Sequence, residues 1–247
     1  MTDATAGETS VPNVLVIVPT YNERANVESL IEQVMATGPE FSILIVDDSS
    51  PDGTGAIADG AAKANPDRVS VHHRGSKQGI GRAYIAGFKW SMLREFTHIV
   101  TMDADFSHSP RDLPRLLEAS QAADLVLGSR YVEGGSTEGW PRGRRALSWL
   151  GGHYAKLVLA VPVDDLTGGF KLYTRRAIEA LPLDQIRSDG YVFQIETTWH
   201  TWKNGFRVTE IPIRFTDRVA GKSKLSRRIV LEAIVVVWKL RFQRLFG

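Results

Sequence analysis

Cysteine is absent from the 247-residue chain. That excludes disulfides, thiolate metal sites and a cysteine nucleophile, and it permits a reducing compartment without demanding one. Long apolar runs are missing too. The longest uninterrupted run covers residues 233–238, far short of the ~20 predominantly apolar residues that a membrane-spanning helix needs. Residues 1–10 contain neither a basic n-region nor an apolar h-region, so no signal peptide is expected there. The first apolar run ends in Pro19-Thr20-Tyr21-Asn22-Glu23-Arg24, without the glycine cluster that lets a dinucleotide pyrophosphate approach a helix N-terminus, which disfavours a dehydrogenase. No single sign of charge dominates either, since 30 basic side chains face 28 acidic ones for a net +2.

The distribution of charge is more informative than its sum. From Lys203 onward there are 11 Lys/Arg and 3 Asp/Glu, an excess of +8 that leaves the first 202 residues at −6. The basic end either faces something anionic or serves solubility. An apolar content of 43% suffices to bury a sizeable core, and the length allows one large domain or two small ones. Short β-branched runs at 14–18 and 43–46 show no alternation, which predicts strands buried on both faces. Residues 26–37 between them read as a helix. The pattern recurs as strand 69–72, helix 81–93, strand 98–102, helix 112–120 and strand 125–127. This predicts an α/β fold, a mainly parallel sheet with helices on both faces and ligands at the carboxyl ends of its strands. Beyond Arg130 we read a glycine-rich loop at 133–143, a helix at 144–160, a loop at 164–169, a strand at 170–173, a helix at 193–204 and a strand at 207–213. The expected organisation is a disordered N-terminus (1–10), a catalytic domain (11–225) and a basic amphipathic C-terminal helix (226–247).

Two acidic turns carry the chemistry. Asp103-Ala104-Asp105 directly follows the apolar strand, and two carboxylates one residue apart can share a hard divalent cation, Mg²⁺ or Mn²⁺, that bridges nucleotide phosphates. The alternative is a loop start with a helix-capping aspartate. Residues 46–54, Val-Asp-Asp-Ser-Ser-Pro-Asp-Gly-Thr, form the second turn. Asp47 or Asp48 could accept hydrogen bonds from a base or ribose, although Pro51-Asp52-Gly53 is also an ordinary turn sequence. Two acidic turns at one sheet edge are harder to explain as loops alone. Gly79-Ile80-Gly81 after Lys77 reads as a flexible helix start.

Taken together, the ordered motifs at 19–23, 47–54, 103–108, 128–131 (Gly-Ser-Arg-Tyr), 190–196 (Gly-Tyr-Val-Phe-Gln-Ile-Glu) and 217–225 resemble the GT-A glycosyltransferases of family 2. More narrowly, they resemble the polyprenyl-phosphate (dolichol-phosphate) mannose synthases. The resemblance implies a GT-A fold in which Pro19, Tyr21, Glu23 and Asp48 line the nucleoside pocket. Asp103 and Asp105 would hold Mg²⁺ or Mn²⁺ on the GDP diphosphate, with Asp105 the closer ligand, while Gln194 and Glu196 complete the site. Arg130 would face the acceptor phosphate, its alternative being a surface cation. The chain departs from its relatives at Asp164-Asp165-Leu166-Thr167-Gly168-Gly169-Phe170, where they often read Asp-Pro-Thr-Ser-Gly-Phe.

The implied reaction is inverting transfer of mannose from GDP-mannose to a polyprenyl phosphate, with Arg130, Arg144, Arg218, Lys222 and Lys224 as candidates for binding the phosphates. A lipid acceptor calls for a membrane. Apolar residues at helical spacing after Arg142, Arg144 and Arg145, and the apolar stretch 229–246 with its flanking basic residues, suit peripheral association at the cytoplasmic face. A core helix, or a helix docking on a membrane anchor subunit, is the alternative. Two other functions stay open: polyprenyl-phosphate glucose synthesis and a family 2 enzyme with a non-lipid acceptor. A non-catalytic nucleotide-sugar module would be expected to lose the acidic pair, and nucleic acid would be repelled by the acidic turns.

Overall fold

The computed structural model describes residues 12–217 and 227–246, with backbone alone for 227–233 and 244–246. The first ten residues, expected to be disordered, lie outside the described residues, as do Arg218, Lys222 and Lys224. In chain order the first half contains β1 (Val14–Thr20), α1 (Val27–Met35), β2 (Phe41–Asp47), α2 (Thr54–Ala64), β3 (Val69–His73), α3 (Ile80–Met92), β4 (His98–Thr101), α4 (Leu113–Ala119) and β5 (Leu125–Ser129). Then follow β6 (Ser136–Glu138), α5 (Arg142–Leu159), β7 (Lys171–Thr174), α6 (Arg175–Glu179), α7 (Gly190–Lys203), β8 (Val208–Pro212), β9 (Arg214–Thr216) and α8 (Arg227–Phe246).

Seven strands form one sheet in the order β3-β2-β1-β4-β7-β5-β8. Every pairing is parallel except those of β7, which runs against both β4 and β5. Successive side chains of a strand point to opposite faces, so the uninterrupted apolar run of β1 serves two cores. Leu15 and Ile17 join the core beneath α3, α5, α7 and α8, whereas Val14, Val16 and Val18 join the one beneath α1, α2 and α4. Helix α3 lies so close to β1 that a Cβ on Gly87 would meet Ile17 Cγ2 at 2.6 Å. Only glycine permits that approach.

The observed elements differ from the predicted ones in three informative places. Helix α2 was not predicted, because Thr-Gly-Ala-Ile-Ala-Asp-Gly-Ala-Ala-Lys-Ala has two glycines and too few large apolar residues to show a helical period. The strand expected at 170–173 is found at Lys171–Thr174, and its antiparallel setting was not foreseen. Within the predicted glycine-rich loop, β6 pairs in parallel with β9 as a separate two-stranded ribbon.

Both long outer helices are apolar on two sides. Helix α5 buries Gly152, Ala155 and Leu159, and α8 buries Val237 and Leu240. On the outside, Leu147, Trp149, Leu150 and Leu157 of α5 and Ile234, Val235, Trp238 and Phe242 of α8 are exposed, Leu157 by 68% and Trp238 by 45%.

In the C-terminal half of α7, Trp199 is fully buried. Trp199→Ala should cost about 3–5 kcal/mol, the range for removing a large buried aromatic. Urea unfolding of the two proteins checks this, and a loss under about 1 kcal/mol would show that the site collapses around the smaller residue.

Candidate active site

The chain leaves β1 toward β2 and β3, then returns to β4 on the opposite side of β1. That reversal opens a crevice at the carboxyl ends of β1 and β4, where open α/β sheets bind ligands. Three loops border it, and each contains a non-glycine residue at positive φ: Asn22 after β1 (62°), Ser49 after β2 (56°) and Phe106 after β4 (58°). Such strain persists only where surrounding contacts over-determine it. Those contacts are present. Asn22 N donates to Ser50 Oγ, Glu23 N to Thr54 Oγ1 and Arg24 N to Asp52 Oδ2, so the first two loops are laced together.

Of the residues expected at the nucleoside, Pro19 and Tyr21 stand at and just past the end of β1 and Asp48 just past the end of β2, with the Asp48 amide donating to Thr20 O. Asp48 is nearly buried and takes a 2.6 Å hydrogen bond from Arg74 Nη1. Its carboxyl is held above the usual range by burial, an effect the Arg74 charge only partly offsets. Lys77 stands over the Tyr21 ring at 3.7 Å. The Glu23 carboxylate accepts from Asn26 Nδ2 at 2.9 Å. Sequence reasoning missed Arg74; the only cue was a basic residue just past a strand end.

The acidic pair follows β4. Tyr84 Oη donates to Asp103 Oδ1 at 3.3 Å, and Asp105 Oδ1 accepts from Ser107 N at 3.1 Å. His108, fully buried, stacks on Phe170, and burial lowers its pKa. The opposite wall is Gly169, fixed by a 2.7 Å bond from Thr101 Oγ1 to its carbonyl. A Cβ built there would lie 3.4 Å from Gln194 Nε2 and 3.9 Å from Asp103 Oδ1. Gln194 and Asp103 therefore converge on a space that glycine leaves open. Gln194 Oε1 is buried with no hydrogen-bond partner, and so is Ser107 Oγ.

Glu196 diverges from Gln194. Two residues of α-helix turn the chain by about 200°, and the contacts of Glu196 are with Ser188 Oγ and, at 3.9 Å, His200 Nε2. It steadies the segment whose Asp189 accepts from Gly81 N at 2.7 Å, at the start of α3. Beneath Gln194, fully buried Lys171 donates to the Gln194 carbonyl at 2.7 Å, and burial lowers its pKa well below the usual lysine value.

Arg130 is not a surface cation. Only 6% exposed, it grips Asp165 with Nε at 2.7 Å and Nη2 at 2.6 Å, while Nη2 also donates to Thr167 Oγ1. Burial raises the Asp165 carboxyl, but the Arg130 charge and hydrogen bonds outweigh it and hold the pKa below its ordinary value. Arg130 Nη1 has no protein hydrogen bond among the described residues. The departure at 164–170 is thus firmly set: Glu210 accepts from the amides of Asp164 and Asp165, and Asp165 pairs with Arg130. Arg144 pairs with Asp217 at 2.8 Å and stacks over Trp140 at 4.2 Å.

The donor set suits a divalent cation. Among the described residues no group of three His, Cys, Asp or Glu is arranged to hold a metal ion by itself. Two carboxylates remain, which fits Mg²⁺ or Mn²⁺, ions that complete their shell with substrate phosphates and water.

These features define a GT-A-like α/β fold with an acidic crevice at its switch point, and comparison with known proteins agrees on the fold. The profile of glycosyl transferase family 2 matches residues 15–181. Polyprenol monophosphomannose synthase of Mycolicibacterium smegmatis is 49% identical over 230 residues, 92% of this chain and 87% of that protein. Undecaprenyl-phosphate mannosyltransferase of Micrococcus luteus is 46% identical over 224 residues, covering 91% and 92%. Among solved structures, glucosyl-3-phosphoglycerate synthase from Mycobacterium tuberculosis, in complex with Mn²⁺, UDP and glucosyl-3-phosphoglycerate, has a TM-score of 0.69 at 17% identity, covering 94% of this chain and 80% of that one. A mannosyltransferase from Pyrobaculum calidifontis in complex with GDP-Man and Mn²⁺ has a TM-score of 0.62 at 18% identity, covering 95% and 65%. The chain belongs to glycosyl transferase family 2, and it is a glycosyltransferase.

The buried pair makes a sharp prediction. Asp165→Ala leaves the Arg130 charge uncompensated and should cost about 3–5 kcal/mol, whereas Arg130→Met with Asp165→Leu should recover most of that loss. Denaturant titration of the single and double variants checks it.

Proposed function

We propose that the enzyme transfers mannose from GDP-mannose to a polyprenyl phosphate, with inversion to a β-linked product. The observation that carries this reading is the near full-length likeness to two enzymes named for polyprenol and undecaprenyl phosphate mannosylation. In support of it, the crevice has an acidic pair opposite Gln194, whose buried Oε1 has no hydrogen-bond partner. On this reading Pro19, Tyr21, Glu23 and Asp48 contact the nucleoside, with Arg218 and Lys224 assisting at the donor. Asp103 and Asp105 hold the divalent cation, which when bound supplies charge neutralisation to the departing diphosphate.

No strong general base is required. A phosphate monoester carries about −1.5 to −2 charges at pH 7 and is already a nucleophile. The work left to the protein is alignment and charge stabilisation. Arg130, rigid in its grip on Asp165, offers Nη1 to the acceptor phosphate, and Arg144 offers a second cation. Gln194 contacts the reacting groups, and Glu196 contributes at one remove by fixing the 188–190 segment. Asp105→Ala, or EDTA, should lower transfer of radiolabelled mannose about 10²- to 10³-fold while the melting curve of the variant is preserved. Activity untouched by both would remove the metal from the reaction, and turnover of UDP-glucose in place of GDP-mannose would change the donor.

The same reading assigns a membrane-facing side, on the cytoplasmic face. No helix among the described residues is long and apolar enough to cross a membrane. The exposed apolar stripes of α5 and α8, with Trp149 and Trp238 among them, support peripheral seating instead. Lys239 and Arg241 of α8 and Arg142 and Arg145 of α5 supply cations for an anionic leaflet, each worth about 1 kcal/mol near the surface. Leu150→Glu with Trp238→Glu should weaken co-sedimentation with anionic liposomes about tenfold or more, because each side chain seated in lipid contributes about 1.5–3 kcal/mol. Unchanged sedimentation would assign the stripes to a protein partner such as an anchor subunit.

A further inference from the structure

One fully buried polar group touches the acidic pair without belonging to any of the loops that border the crevice. Tyr84 lies on α3, inside the apolar face of that helix. A buried phenol needs a hydrogen-bond acceptor, and the one that Tyr84 meets is Asp103 Oδ1, 3.3 Å away. Its ring also stacks on Phe193 of α7, with centroids 5.9 Å apart and planes 9° apart. Phe193 immediately precedes Gln194. The tyrosine is therefore the point at which α3, α7 and the end of β4 meet.

A carboxylate at the end of a strand can swing about χ1 and χ2, and a ligand that swings binds its ion less tightly. A donor fixed in a packed core removes that freedom, and partners of this kind typically govern metal affinity by 10- to 100-fold. We propose that Tyr84 is a positioning residue: through its hydroxyl it orients Asp103 and so sets the divalent-cation affinity of the Asp103/Asp105 pair. The inference rests on the reading above that Asp103 and Asp105 hold a divalent cation, and it takes Mn²⁺ and GDP as probes. Nothing in the ring packing requires the hydroxyl, since a phenylalanine would fill the same space and keep the stack on Phe193.

The test uses the full chain and measures Mn²⁺ binding by calorimetry in the presence of GDP, with GDP binding in EDTA and thermal melting as separate readouts. Tyr84→Phe should raise the Mn²⁺ dissociation constant about 10- to 100-fold, leaving GDP binding in EDTA unchanged. Phe88→Leu serves as the packing control, because Phe88 is buried on the same helix with its ring centroid 6.4 Å from that of Tyr84. It should lower the melting temperature and leave Mn²⁺ affinity alone. The proposal is overturned if Tyr84→Phe binds Mn²⁺ like the wild type, if Phe88→Leu weakens Mn²⁺ equally, or if Tyr84→Phe does not fold. A wild-type protein that binds no Mn²⁺ with GDP would overturn the metal reading itself, a distinguishable result.

Discussion

Thr101, the last residue of β4, donates its hydroxyl to the carbonyl of Gly169 at 2.7 Å. This bond ties the end of a parallel strand to the start of the one strand that runs the other way. Much of the site depends on that reversal. Because β7 enters between β4 and β5 from the edge where the parallel strands end, its first residues lie beside the acidic pair. Gly169 faces Asp103, Phe170 stacks under His108, and Lys171 reaches the carbonyl of Gln194. A parallel strand in the same slot would present its amino end at the opposite edge, and none of these contacts could form.

The crevice is held by buried charge, which is expensive. Removing two ions from water costs several kcal/mol per ion even after relaxation, and only excellent geometry recovers it. Arg130 and Asp165 meet that condition with a forked pair and a third bond from the Arg130 amide at 3.0 Å. Lys171 has no carboxylate partner within ion-pair distance among the described residues, and burial lowers its pKa. Asp48 and Arg74 are the intermediate case, a nearly buried pair whose carboxyl is nonetheless raised. A hydrophobic core would be the more stable choice at each place. In the proposed reaction, fixed dipoles and charges of this kind would need no reorganisation when charge moves between substrate groups.

Local pattern made the parallel half of the fold legible. Uninterrupted apolar strands ending in acids announce both their burial and the edge at which ligands bind, so β1, β2, β4 and the Asp103/Asp105 turn could be read from residues alone. What escaped was decided by partners distant in sequence. Arg130 was expected at the acceptor phosphate, with a surface cation as the alternative, and its grip on Asp165 was not legible because that partner is 35 residues away. Tyr84 was indistinguishable from a core aromatic, since the carboxylate that it touches is on another element. Gln194 and Glu196 came as one motif, yet the helical turn between them sends one toward Asp103 and the other toward Ser188. Helix α2 lacked a period because small residues fill its packed side.

Helix α5 joins the two faces of the proposed chemistry. Its first turn carries Arg144, which pairs with Asp217 next to the β6–β9 ribbon, and its later turns carry the exposed Leu150 and Leu157. One rigid element of 18 residues, about 27 Å long at 1.5 Å per residue, therefore holds both the cation proposed for the phosphate and an apolar surface. A soluble acceptor would need only the first. For the proposed acceptor, a phosphate joined to a hydrocarbon tail, the two must be fixed relative to each other, because the tail stays in lipid while the phosphate reaches the crevice. Packing α8 along α5 widens the exposed apolar side, so on the proposed reading the depth of membrane seating and the alignment of the nucleophile would be set by the same pair of helices.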